Sequence, residues 1–292
     1  MKVYKSEKAK RNIYTTYDKL LGLWGVAIKE IDISTTYGTT HIIQCGKEEN
    51  PPLVLFHGVG DDSALMWIYN AKELSKHFRI YAIDTIGGPG KSCPGENYTK
   101  AFDEIKWLDE VFDSLELDTA YVAGVSNGSY ITQHYGIMRP ERVIKMICMS
   151  GSISVKENGS PLKTLIKVFL PEALFQTKKN VVRLIKKLTG ENSRVFIENE
   201  AIMEHYTHLL KGFNNMSMSY HKLKFFDENP LNSIKHKVLF LCGECDPLVN
   251  KDSVKAILDK YNLSYTFFPG VGHGINHEIS DEINKIIIEY FR

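Results

Sequence analysis

Five short apolar runs constrain this chain more than any other feature. PPLVLFHG (51–58), FRIYAID (78–84), AYVAGVS (120–126), VIKMICMSG (143–151) and KVLFLCGE (237–244) are each nearly continuous in apolar side chains. A strand wetted on one face alternates apolar and polar residues. A run without alternation is a strand buried on both faces, as in a parallel sheet. Helix-like stretches at 63–76, 99–115 and 127–138 separate the runs. Strand alternating with helix builds right-handed crossovers and a sheet covered on both faces, so the expected class is α/β.

The flanks fit around that frame. Ile13, Tyr17, Leu20 and Leu21 share one face of a helix near the N-terminus. EIDISTT and THIIQCG, joined at Tyr37-Gly38, form a hairpin. Residues 151–230 break the rhythm: they carry no strand-like run and read as helices punctuated by Pro161, Pro171, Gly190, Gly212 and Pro230. From 151 to 195 nine Lys or Arg face only Glu157, Glu172 and Glu191. Solvated helix faces are preferred to an anion-recruiting lid as their explanation. The α/β pattern then resumes and closes with a helix at 279–291. The expected division is a core of residues 1–150 and 231–292, with an insertion at 151–230; the 292-residue length suits one large domain with such an insertion.

A net charge of +1 removes any global electrostatic case for nucleic acid. No stretch approaches the roughly 18 apolar residues that span a bilayer, so no membrane partner is expected. MKVYKSEKAKRN is polar, which predicts no signal peptide. Cys45, Cys93, Cys148, Cys242 and Cys245 are odd in number and scattered, which suits reduced thiols in a cytoplasm. Cys242-Gly-Glu-Cys245 has redox spacing but comes late and runs into Asp246-Pro247, so it reads as two small residues at a strand end.

The chemistry centres on Gly124-Val125-Ser126-Asn127-Gly128, a G-x-S-x-G placed between a predicted strand and a predicted helix. So tight a turn leaves no room for side chains two residues either side of the serine. It lifts the hydroxyl above the sheet edge, where the helix N-terminus offers amides to a developing oxyanion. A serine hydroxyl needs a base, and the base needs an orienting acid. Loops beyond later strand ends offer Asp246, with Glu244 as the fallback, and His273, with His277 as its rival. The order Ser126, Asp246, His273 fits one known arrangement of these roles.

On HGVG (57–60), DTIGGPGKS (84–92), GVSNG (124–128), GECDPLV (243–249) and GVGH (270–273), the chain resembles the α/β-hydrolase superfamily, and bacterial carboxylesterase-like members with a helical cap. The resemblance implies a mostly parallel central sheet with helices on both faces and a cap at 151–230. It implies Ser126 as nucleophile, His273 as general base and later acid, and Asp246 as orienting carboxylate. The oxyanion hole would use the amides of Val59 and Asn127. His57 would support that loop from below, and Gly58 and Gly60 would let it approach the substrate. The strand end at Met149-Ser150-Gly151-Ser152, where some relatives carry the acid, has no carboxylate, which favours Asp246.

Two decoys are set aside. Residues 85–92 nearly spell a phosphate loop, but Thr85 replaces its first glycine and Cys93-Pro94-Gly95 follows where a helix should begin. His273 and His277 have the spacing of a zinc pair, yet glycine-flanked loop positions make no helix face, so no metal and no cofactor are expected. Trp67, Phe169, Phe175, Phe213, Phe225 and Phe226 are candidates for an acyl pocket. The expected function is a serine hydrolase of carboxylic esters acting on a small-molecule substrate. Carbon–carbon-bond hydrolase, lactonase, cofactor-free peroxidase, or a small-molecule receptor with vestigial turnover are the alternatives.

Overall fold

A single twisted sheet organises the molecule. The computed structural model describes residues 1–156, 168–169, 172 and 175–292. The hairpin β1 (Ile28–Thr35) and β2 (Gly38–Cys45) leads into β3 (Pro52–Phe56), β4 (Arg79–Ile83), β5 (Cys93–Pro94), β6 (Ala120–Val125), β7 (Val143–Met149), β8 (Val238–Gly243) and β9 (Ser264–Phe268). Their order is β1-β2-β4-β3-β6-β7-β8-β9, with short β5 on β2. From β4 onward neighbours pair in parallel, and only pairs involving β2 are antiparallel. The five unalternating runs are β3, β4, β6, β7 and β8, as their continuous apolar character requires.

Helices cover both faces. On one side α4 (Glu104–Ser114) and α5 (Asn127–Met138) bury Trp107, Phe112 and Tyr135 against Val54, Val122 and Phe240. On the other, α1 (Glu7–Leu21) and the C-terminal α12 (Ser280–Phe291) bury Ile13, Tyr17, Ile287 and Phe291 against Leu55, Ala123 and Leu241. Each fully buried aliphatic or aromatic side chain contributes about 1.5–3 kcal/mol.

Two predicted helices are altered. The stretch 63–76 is not one helix but two single turns, α2 (Ser63–Met66) and α3 (Ala71–Leu74). Between them the buried Asn70 side chain donates to the Asn276 carbonyl and to Asn284 Oδ1, and those tertiary bonds outweigh helical continuity. The stretch 99–115 starts late because the Asp103 carboxylate accepts from the amides of Ile105 and Lys106 and caps α4 there.

Between β7 and β8 the described residues include α6 (Lys178–Leu188), α7 (Arg194–Ile197), α8 (Glu200–Gly212) and the single turn α9 (Glu228–Leu231). Glu157, Pro161 and Pro171 lie outside the described residues. In α6 the apolar stripe Val181, Leu184 and Ile185 is buried and Lys178, Lys179 and Lys186 are exposed, whereas Lys187 pairs with the buried Glu172 at 2.6 Å. Helix α8 docks on α1: Thr16 Oγ1 lies 2.7 Å from His205 Nδ1, and Lys19 pairs with Glu204 at 2.8 Å. The N-terminal helix thus packs against both the sheet and α8. Trp67 and Phe213 are core residues, whereas Phe175 and Phe225 are exposed.

The glycine-rich loop after β4 is occupied by the protein itself. Lys91 N–H donates to Asp84 Oδ2, and the Lys91 ammonium pairs with Asp18 and Glu30. Strand β5, not a helix, follows. The five cysteines are free thiols, and burial pushes Cys242 up to about 12, far from a reactive thiolate. No helix of the described residues is long and apolar enough to cross a membrane.

Candidate active site

Sterics at the end of β6 shape the site. A Cβ on Gly124 would lie 2.1 Å from the Gly128 carbonyl oxygen, and one on Gly128 would lie 2.2 Å from that of Phe56. Both positions must be glycine if the chain is to pass straight from strand to helix. Ser126 pays for that turn with φ 56° and ψ −113°, outside the wells that L-residues populate. The Ser126 amide donates to the Met149 carbonyl, which ties the elbow to β7. Its hydroxyl does not cap α5, and it has no hydrogen-bond partner among the described residues.

The loop after β3 lies beside the serine. A Cβ on Gly58 would touch Ser126 Cβ at 3.4 Å. Buried His57 accepts from the Thr85 amide at Nε2, so its Nδ1 carries the proton and donates to the Gly58 carbonyl. Both ring nitrogens of His57 are therefore engaged by backbone groups. Gly60 has φ +76°, and Val59 is 51% exposed. The amides of Val59 and of Asn127, the first residue of α5, have no acceptor among the described residues.

Asp246 and His273 meet beyond β8 and β9. His273 Nδ1 is 2.7 Å from Asp246 Oδ2, and the other oxygen of Asp246 accepts from the Leu248 amide. Burial opposes the imidazolium, but the charge and hydrogen bond of Asp246 outweigh it, aided by Glu278 and Asp61. The His273 pKa therefore lies above its ordinary value. Nε2 of the ring has no hydrogen bond to a described residue. The structure thus joins His273 to Asp246 and leaves the link to Ser126 Oγ unmade, an arrangement common before substrate binds. The two rivals are engaged elsewhere. Glu244 pairs with Lys251 at 2.6 Å. His277 Nε2 donates to the Leu65 carbonyl, and burial pushes it down to about 4, a neutral ring.

Sequence reasoning missed several residues around this centre. Ser150, at φ 51° on the end of β7, donates its hydroxyl to the His273 carbonyl at 2.7 Å. Asp61 and Asp62 directly follow the HGVG loop. Asp62 is fully buried and pairs with His205 of α8 at 2.7 Å. Burial and the neighbouring Asp62 push Asp61 up to about 7, and Asp61 in turn acts on His273. The acidic pair is visible in the sequence, but its partner is 143 residues away. No group of three His, Cys, Asp or Glu among the described residues could hold a metal ion.

Comparisons with known proteins bear on the family and the fold. Carboxylesterase YbfK of Bacillus subtilis is 39% identical over 137 residues, 47% of this chain and 46% of that protein. A second B. subtilis protein, the uncharacterized carboxylesterase nap, is 41% identical over 130 residues, 44% of this chain and 43% of its own length. The chain therefore spans less than half the length of these two relatives in the matched segments. The solved structure of carboxylesterase CesB (YbfK) superposes with a TM-score of 0.79 at 26% identity, covering 97% of this chain and 98% of that one. The family described as alpha/beta hydrolase fold matches residues 51–278. That match runs from the strand that carries the HGVG loop to just past His273, and the chain belongs to this family.

Proposed function

We propose that the protein hydrolyses carboxylic esters through an acyl-enzyme formed on Ser126. In this cycle Ser126 Oγ attacks the ester carbonyl while His273 Nε2 takes its proton. Asp246 holds the ring by Nδ1, which leaves the Nε2 lone pair free to take the proton, and its charge stabilises the imidazolium that forms. The tetrahedral oxyanion is received by the free amides of Val59 and Asn127; one such donor is worth about 10²–10³ in rate. His273 next protonates the departing alcohol, then activates water to release the acid. The cycle draws on these side chains and water alone.

The observation that carries the reading is the 2.7 Å His273–Asp246 contact, together with a strained Ser126 whose hydroxyl caps nothing. The likeness to two carboxylesterases supports an ester as the substrate class. Residues 151–230 would form the cap over the core of 1–150 and 231–292, and the cap would select the acyl group. The test is a fluorophosphonate that reacts with activated serines. Expected is one adduct on Ser126, and loss of both adduct and p-nitrophenyl ester turnover in Ser126→Ala. Turnover that persists in that variant overturns the reading.

A further inference from the structure

The loop that carries His273 is held by the core, through the Cys245 amide on the Val271 carbonyl and the Ser150 hydroxyl on the His273 carbonyl, and also by the insertion. The His273 amide donates to the Leu188 carbonyl at the end of α6, at 2.6 Å. The Glu191 amide donates to the Gly270 carbonyl at 2.7 Å. The two backbones touch: a Cβ on Gly272 would fall 2.5 Å from the Leu188 carbonyl oxygen. Between them lies a carboxylate that the catalytic cycle does not use. Glu278, 4% exposed, ends the single turn α11 (Ile275–Glu278). Its Oε1 accepts from the Gly272 amide at 3.0 Å and its Oε2 from the Gly190 amide at 2.7 Å. The Glu278 carbonyl also accepts from the Asn192 side chain, at 2.7 Å.

A carboxylate taken out of water is costly unless its oxygens are satisfied. No lysine or arginine pairs with Glu278 among the described residues. Its compensation comes from the Gly272 amide just before His273 and from the Gly190 amide of the turn after α6. Two acceptor oxygens face donors in two chain segments, an arrangement that a glutamine cannot reproduce, because its NH2 would meet a backbone N–H.

We propose that Glu278 is a positioning residue that clamps the His273 loop to the turn at 188–191, so that the seating of the insertion sets the aim of the catalytic imidazole. The proposal rests on the ester-hydrolase reading for its kinetic consequence, though the clamp itself does not. The charged neighbours are few. Asp246 faces both Glu278 and His273, Asp61 adds to the field at His273, and Glu191 lies against Gly270. His277, next to Glu278 in sequence, is neutral.

The test uses the full chain with Glu278→Gln and Glu278→Asp. A ring placed about 1 Å off its line costs on the order of 10² in rate. Expected for Glu278→Gln is a fall in kcat of about tenfold to a hundredfold with KM nearly unchanged. The His273 titration, followed by NMR of labelled imidazoles and assigned with His273→Asn, should move to lower pH because a neighbouring negative charge is gone. Glu278→Asp, which keeps the charge, should restore the titration. A Glu278→Gln protein that folds and keeps both kcat and the His273 midpoint overturns the clamp. The NMR midpoint needs no turnover. A wild type that neither labels at Ser126 nor cleaves esters sinks the hydrolase reading, while the midpoint still decides the clamp.

Discussion

Removing the His205 ring should strand a carboxylate in the core. Both side chains of the His205–Asp62 pair are 0% exposed, and they lie 2.7 Å apart. Thr16 Oγ1 has the carbonyls of Asn12 and Ile13 as acceptors for its proton, so it can accept from His205 Nδ1. With Nε2 donating to Asp62 and Thr16 able to accept at Nδ1, the surroundings favour the imidazolium form. Burial alone would lower the His205 pKa. The Asp62 charge and hydrogen bond, with Asp61 and Asp84 beyond, raise it above the ordinary value. Truncating one partner of such a buried pair costs about 3–5 kcal/mol, because the other charge is left without compensation. His205→Ala should lose that much at pH 6, measured by urea unfolding followed through the buried Trp24, Trp67 and Trp107. The double variant Asp62→Asn/His205→Leu should lose less than His205→Ala, since no charge remains and asparagine can still cap α2. The sign of the pH dependence follows from the raised pKa. The stability that the charged ring supplies is complete below the unfolded value of about 6.5 and drains as pH climbs through the folded value. The gap between wild type and His205→Ala should therefore narrow at alkaline pH. A loss under about 1 kcal/mol at pH 6, or a gap that widens with pH, would refute the assignment of a buried ion pair.

Two further outcomes follow from the same region. Gly128→Ala drives a Cβ to 2.2 Å from the Phe56 carbonyl oxygen, backbone that cannot rotate away. Thermal unfolding should register a loss of about 1–3 kcal/mol or more, and ester turnover should collapse with the elbow. Asp61→Asn should be more stable than wild type above pH 7, by about 1–3 kcal/mol given its partial exposure, and equal to it near pH 4. The reason is that the wild-type carboxyl, pushed up to about 7, resists ionising in place and costs stability as pH rises. The same variant should shift the acid limb of kcat/KM downward, as His273 loses a neighbouring negative charge.

Much of this architecture was legible because burial on both faces writes itself as unbroken apolar runs. PPLVLFHG became β3 and KVLFLCGE became β8 with little change of boundary. The elbow was legible for a steric reason: the glycines at 124 and 128 mark where a Cβ collides with backbone. What stayed hidden depends on contacts between distant segments. Residues 63–76 have the composition of one helix, and only the buried amide of Asn70, bonded to residues near the C-terminus, breaks it. The docking of α1 on α8 leaves no local trace, because Thr16 and His205 are unremarkable in their own helices. Glu278 reads as an ordinary acidic residue near a helix start until the turn at 188–191 is seen against it. The site shows the same division: residue types and order were visible at Ser126, Asp246 and His273, whereas the contacts of Asp62, Ser150 and Glu278 with distant segments were not.

The account stands most directly on whether the reaction passes through Ser126. Mixing enzyme with a p-nitrophenyl ester, quenching in acid within milliseconds and weighing the protein answers this. The predicted result is a mass gain of one acyl group, mapped to the peptide containing Ser126 and rising with a burst of p-nitrophenol. Steady turnover with no acyl adduct at any quench time, or an adduct on a different residue, would contradict it.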